Sequence, residues 1–157
     1  MCYIKRMATS NNLNPSDASL LLDNQLCFAL YSTSLAMTKL YKPLLAELGL
    51  TYPQYLVMLV LWEQDDVTVS ALGERLFLDS GTLTPLLKRL EAAELLVRNR
   101  SAQDERRVQI SLTASGKALK TLAAKVPACV VKASHCPVPE LMSLTHSIQA
   151  LRQQINN

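Results

Sequence analysis

The sequence predicts a mainly helical chain with one small β-hairpin, on three observations. Leucines recur at helical spacing in two adjacent segments, Val69 to Phe77 and Thr82 to Glu94, with a turn through Leu78, Asp79, Ser80 and Gly81 between them. Two extended segments, Leu95 to Arg100 and Arg107 to Leu112, flank a polar turn from Ser101 to Arg106. Apolar residues at helical spacing also precede and follow this block. The order helix, turn, helix, hairpin is that of a winged helix-turn-helix, which sets one helix in the DNA major groove and a hairpin beside it.

Each element has a local reason. Asn11 to Ser19 reads as the end of a flexible lead covering residues 1–18, with Asp17 or Ser16 as a helix N-cap. Leu20 to Lys42 reads as a helix that is apolar nearly all round, which requires burial on several sides. Pro43 is expected to bend or restart it, and Gly49 to end it. Thr51, Tyr52, Pro53 and Gln54 then form a capping box with an early proline, opening a helix that runs to about Glu63.

In the central block, Val69, Leu72 and Leu76 form the inward stripe of the first helix, and Leu83, Leu86, Leu87 and Leu90 that of the second. The candidate DNA-contacting set on the second helix is Ser80, Gly81, Thr82, Thr84, Pro85, Lys88 and Arg89. Its hydroxyls and long cations suit base edges and phosphates, although any solvated helix face carries such residues. Asp104, Arg106 and Arg107 stand at the hairpin tip, where an arginine can enter the minor groove and a carboxylate can hold its guanidinium. A plain charged turn is the alternative for the tip alone.

Beyond the hairpin, Thr113 to Gly116 leads into a helix interrupted near Pro127, and Pro137 and Pro139 introduce a last helix. Its apolar residues Leu141, Leu144, Ile148, Leu151 and Ile155 make a heptad seam, which predicts a homodimer. A two-fold dimer would space two recognition helices for a palindromic double-stranded DNA operator. The expected organisation is therefore one domain over residues 19–157, with dimerisation helices at 19–49 and 115–157 around a DNA-binding head at 51–113.

Composition narrows the class. A net charge of +3 on 157 residues is too small for an indiscriminate polycation. The start, Met1 to Arg6, is not followed by an apolar secretory core, and the uncharged stretch Asn24 to Thr38 is too short to span a bilayer, so a cytoplasmic protein without membrane contact is expected. Four cysteines, Cys2, Cys27, Cys129 and Cys136, point to reactive or inert thiols rather than a disulfide framework. A zinc site from Cys129, His135, Cys136 and His146 would lack paired short-spaced ligands, so neither metal nor cofactor is expected. With no Cys-x-x-Cys and no strand-rich thioredoxin-like pattern, a thiol peroxidase is disfavoured and the chain is read as a non-enzyme.

The segments Leu78 to Glu91, Asp104 to Arg107 and Leu112 to Gly116 resemble the winged-helix head of the MarR family of repressors. Leu21 to Tyr31 and Leu50 to Tyr55 resemble its organic-hydroperoxide-sensing subgroup, whose members repress peroxide-detoxifying genes until a cysteine is oxidised. The resemblance implies that Cys27 is the reactive thiol, that organic hydroperoxide is the inducer, and that Tyr41 and Tyr52 hydrogen-bond the thiol of the opposite subunit. It also implies a resolving cysteine near the break before the last helix, where the chain offers Cys136 and, as the alternative, Cys129; one family position for that cysteine holds Lys132. Cys136 is preferred because helix-terminal amides next to Pro137 would favour a thiolate.

The residues allow this chemistry. An unperturbed thiol with a pKa of ~8.5 is mostly protonated at neutral pH, so a sensor needs donors that favour the anion. Tyr31 lies one helical turn from Cys27. Tyr41 lies fourteen residues on, roughly 21 Å along a straight helix at ~1.5 Å per residue, so only a partner chain could bring it to the sulfur. The competing readings are a small buried Cys27 in a repressor released by an aromatic ligand, and the peroxidase already disfavoured.

Overall fold

The computed structural model describes residues 15–100 and 108–156. Its elements run α1 (Pro15–Ser19), a 3-10 turn (Leu22–Asn24), α2 (Leu26–Ala46), α3 (Tyr52–Glu63), β1 (Val67–Thr68), α4 (Val69–Leu76), α5 (Ser80–Ala92), β2 (Leu96–Arg100), β3 (Val108–Leu112), α6 (Ala114–Ala123), α7 (Val126–Ser134) and α8 (Val138–Ile155). Contacts divide the chain into two units, Met1–Met37 and Thr38–Asn157.

In the first unit the expected boundaries shift. The helix expected from Leu20 begins at Leu26, because side chains hold the preceding segment in turns: Asn24 Nδ2 donates to the Ala18 carbonyl at 2.7 Å, and Gln25 Nε2 to the Ser19 carbonyl at 2.6 Å. Asp17 lies inside α1 rather than capping it.

In the second unit α2 continues through Pro43 to Ala46 instead of restarting there. Gly49 does end it, at a φ of 66° that glycine adopts without strain. The amides of Gly49 and Leu50 reach back to the carbonyls of Ala46 and Leu45, both at 3.1 Å, closing a Schellman turn. The capping box of α3 forms as expected: Gln54 Oε1 accepts from the Thr51 amide at 2.8 Å and the Thr51 hydroxyl at 2.9 Å.

The head is built on the leucines that predicted it. Leu72, Leu83, Leu87 and Leu90 are fully buried with Val57, Met58, Leu61, Leu96 and Ile110, whereas Leu76 and Leu86 are half-buried. Each such leucine contributes about 1.5–3 kcal/mol through removal from water. The interhelical turn is shorter than expected: Phe77 takes the left-handed conformation, and Asp79 already caps α5, which therefore starts at Ser80 and ends at Ala92. Gly73 permits the tight reversal, since a Cβ there would stand 2.8 Å from the Leu78 carbonyl oxygen.

The sheet has a strand that the leucine pattern does not announce. Its order is β1-β3-β2, with Val67 opposite Ile110 and Leu96 opposite Leu112 in antiparallel ladders. The expected break near Pro127 is the boundary between α6 and α7, and Pro137 caps α8. Along α8, Leu144, Ile148 and Ile155 are exposed and Leu141 and Leu151 half-buried. Arg152 lays its guanidinium 4.3 Å from the centre of the Phe77 ring, so α8 touches the turn that enters α5.

Candidate nucleic-acid interface and thiol site

The N-terminus of α5 is fixed by Asp79, whose two carboxylate oxygens accept from the Thr82 amide at 2.9 Å and the Thr82 hydroxyl at 2.8 Å. Those bonds, the amide first, hold its carboxyl below the usual carboxylate range. Thr84 donates to the Ser80 carbonyl at 2.7 Å and is half-buried. Ser80, Gly81, Thr82, Pro85, Lys88 and Arg89 are exposed. Pro85 lies inside the helix and, lacking an N–H, leaves the Gly81 carbonyl without its usual helical donor.

Asp104, Arg106 and Arg107 lie outside the described residues; the strands leading to them are aligned up to the pair Arg100 and Val108. Behind the wing, Arg98 of β2 grips Glu91 of α5, with Nη2 2.6 Å and Nε 2.7 Å from one carboxylate oxygen. This bond lowers the Glu91 pKa and ties wing to recognition helix. Sequence reading missed the pair, because strand and helix register must be known before residues seven apart can be matched.

The base of the wing is clamped to α6. The Leu95 carbonyl accepts from the Thr113 amide at 3.1 Å, and the Thr113 hydroxyl donates to the Glu94 carbonyl at 2.6 Å. Gly116 sits so close that a Cβ would fall 2.0 Å from the Leu95 oxygen. Trp62 Nε1 donates to the Gly116 carbonyl at 2.9 Å, and Lys120 Nζ donates to the Trp62 carbonyl at 2.8 Å. Asp65 accepts from the Leu112 amide at 2.8 Å and pairs with Lys117 at 3.1 Å; burial pushes its carboxyl up, but these partners outweigh burial and hold it below its ordinary value.

Of the expected sensing residues, the first unit holds Cys27 in the opening turn of α2 and Tyr31 one turn later, both exposed. The second unit brings Tyr41 and Tyr52 together, with ring centres 4.8 Å apart. It adds Tyr55, which sequence reading missed, 6.0 Å from Tyr41 and 6.2 Å from Trp62. Burial raises the pKa of Tyr41, Tyr52 and Tyr55, and the neighbouring phenols add to the rise for Tyr41, so all three remain protonated donors. Beside Tyr52 a cavity of about 420 Å³ is lined by Ala46, Leu50 and Pro53 together with Thr38, Thr51 and the lysines Lys39 and Lys42.

The two downstream thiols differ from expectation in one respect. Cys136 does stand between α7 and α8, but burial and then the Glu140 carboxylate raise its thiol pKa, opposing the helix-terminal amides that were expected to lower it. Cys129 is half-buried within α7, one turn beyond Lys125. Lys125 pairs with Glu47 at 2.7 Å, which is the main cause of its raised pKa, with a smaller share from Cys129.

Comparison with known proteins places this geometry. The family described as "Transcriptional regulator SarA/Rot" matches residues 39–122. The organic hydroperoxide resistance transcriptional regulator of Bacillus subtilis is 49% identical over 135 residues, which cover 86% of this chain and 92% of that protein. Among solved structures, reduced AbfR bound to DNA superposes with a TM-score of 0.78 at 34% identity, covering 90% of this chain and 96% of that one; AbfR is a Staphylococcus epidermidis protein. Its disulfide-formed state matches with a TM-score of 0.60 at 33% identity, covering 90% and 94%. With a helix-turn-helix, an antiparallel wing and these relatives over nearly its whole length, the chain belongs to the MarR family of winged-helix transcriptional regulators, in the branch that includes the organic hydroperoxide resistance regulator.

Proposed function

We propose that the protein is a peroxide-responsive repressor that, as a cytoplasmic homodimer, binds a palindromic operator when reduced and releases it when Cys27 is oxidised by an organic hydroperoxide. The observation that carries the reading is the pairing of Tyr41 with Tyr52 at 4.8 Å, two protonated phenols on the positions that match the thiol-holding tyrosines of the subgroup. The relatives support it. One is named for organic hydroperoxide resistance, and AbfR occurs reduced on DNA, overoxidised on DNA and with a disulfide formed, which supports the disulfide rather than oxidation alone as the releasing step.

In this reading dimerisation brings the exposed Cys27 of one subunit to the phenols of the other, using the exposed apolar faces of α2 and α8. The thiolate attacks the terminal oxygen of R–O–O–H; the O–O bond breaks, the alcohol leaves with a proton, and sulfur becomes a sulfenic acid, oxidised by two electrons. A second thiol, Cys136 or Cys129 of the partner subunit, then attacks that sulfur, forming an intersubunit S–S bond and releasing water. The raised pKa of Cys136 lowers the fraction of it present as the attacking thiolate. Because disulfide formation needs Cα atoms within about 7 Å, the helices carrying them move and the heads lose their operator spacing. The apolar cavity beside Tyr52 suits an organic tail better than hydrogen peroxide. DNA contact is assigned to the exposed residues of α5 from Ser80 to Arg89 and to the wing tip, Asp104, Arg106 and Arg107.

The test uses a palindromic duplex selected from random DNA by the reduced protein, titrated during addition of cumene hydroperoxide. Cys27→Ser should bind the duplex and stop responding. A normal response by that variant overturns the scheme, and release by a small aromatic acid under full reduction would establish ligand gating in its place.

A further inference from the structure

We infer that Trp62 is the positioning residue through which the sensing phenols act on the wing, an inference that rests on the reading of Tyr41 and Tyr52 as the groups holding the reactive thiol. The side chains make one contiguous column. Tyr52 meets Tyr41 at 4.8 Å, Tyr41 meets Tyr55 at 6.0 Å, and Tyr55 meets Trp62 edge-on at 6.2 Å and 68°. From Trp62 the path continues through the buried Nε1 bond to the Gly116 carbonyl. Gly116 in turn lies against the Leu95 carbonyl, at the entry to β2, with no room for even a methyl group.

Two features make Trp62 more than filler in this column. It is held at both ends of the residue: the indole by the Gly116 carbonyl and the backbone carbonyl by Lys120, each at under 3 Å and one turn apart on α6. Its other side borders a cleft of about 490 Å³, lined also by Tyr55, Leu59, Glu63, Lys120, Ala123 and Pro127. That space is what a movement of the ring away from Gly116 would use. When the thiol leaves its phenols, Tyr41 and Tyr55 are freed to follow, and Trp62 either keeps or releases Gly116. Release frees the start of α6, and the base of the wing, which Thr113 ties to α6 through Leu95 and Glu94, can then move with it.

The decisive variant is Trp62→Phe in the full chain, which keeps a ring against Tyr55 and removes the N–H that Gly116 accepts. Operator affinity is measured before and after cumene hydroperoxide on the selected palindromic duplex, with the state of Cys27 followed by mass spectrometry. Cys27 should oxidise at the wild-type rate and the reduced variant should bind, while the affinity lost on oxidation shrinks by about tenfold. A loss equal to that of the wild type overturns the role of Trp62 and leaves the proposed function standing. A wild-type protein that holds its duplex with Cys27 oxidised overturns the proposed function itself. Trp62 is also the chain's single tryptophan, so its emission reports the column without any variant of it. Oxidation should shift that emission in the wild type and leave it unmoved in Cys27→Ser; an unmoved wild-type emission overturns the inference.

Discussion

Helices α5 and α8 carry the same kind of apolar stripe and meet opposite fates. Leu83, Leu87 and Leu90 of α5 are 0–1% exposed within the one chain, whereas Leu144 and Ile148 of α8 are 52% and 39% exposed. Spacing tells that a stripe must be covered, and not which molecule covers it. The head completes its own core from α3, α4, α5 and the sheet. The ends of the chain, with Leu20, Leu26 and Leu35 also exposed, are unfinished in the same sense as α8.

The contrast can be broken most sharply at the head. Gly116→Val drives side-chain atoms into the Leu95 carbonyl, and a loss of about 4 kcal/mol or more is expected, read as failure to reach a cooperative urea transition. A second Gly with open space gives the control: at Gly49 a Cβ meets nothing within 4 Å, so Gly49→Ala should cost only about 1–2 kcal/mol from its positive φ. Next, Leu87→Ala should lose about 3 kcal/mol by leaving a cavity, with a midpoint shift independent of protein concentration. Leu144→Ala should instead weaken self-association by about tenfold, seen by analytical ultracentrifugation, with a midpoint shift that grows on dilution. A Leu144 effect independent of concentration would erase the distinction between the two helices.

The smallest effect expected is the sharpest chemically. The folded Asp79 carboxyl titrates below its ordinary value, so its contribution to stability is present above the unfolded pKa and is lost as the pH falls through the folded pKa. Asp79→Asn preserves a good N-cap while removing the charge, so it should retain stability near neutrality and flatten this part of the acid limb. An acid limb identical to that of the wild type would show that Asp79 does not contribute to it.

What could be read in advance was whatever depends on neighbours a few residues apart. The leucine stripes, the Thr51 and Gln54 box, the stop at Gly49 and the breaks near Pro127 and Pro137 are of that kind. Strand β1 was missed because it is two residues long and exists only through its pairing with Gln109 and Ile110. The start of α2 was misplaced because Asn24 and Gln25 turn their amides back onto carbonyls six residues earlier. The bond from Trp62 to Gly116 spans 54 positions, and no local pattern encodes it. At the thiols, position relative to a helix start was legible for Cys136, but burial and then Glu140 push its thiol the other way.

Phe77 is an exposed aromatic held at a φ of 57°, in a conformation that glycine or asparagine occupies more comfortably. A designer optimising heat tolerance would replace it and gain rigidity in the turn, while discarding the surface on which Arg152 rests. Directed evolution for thermal resistance alone would thus select against this ring, at the cost of the contact it makes with α8.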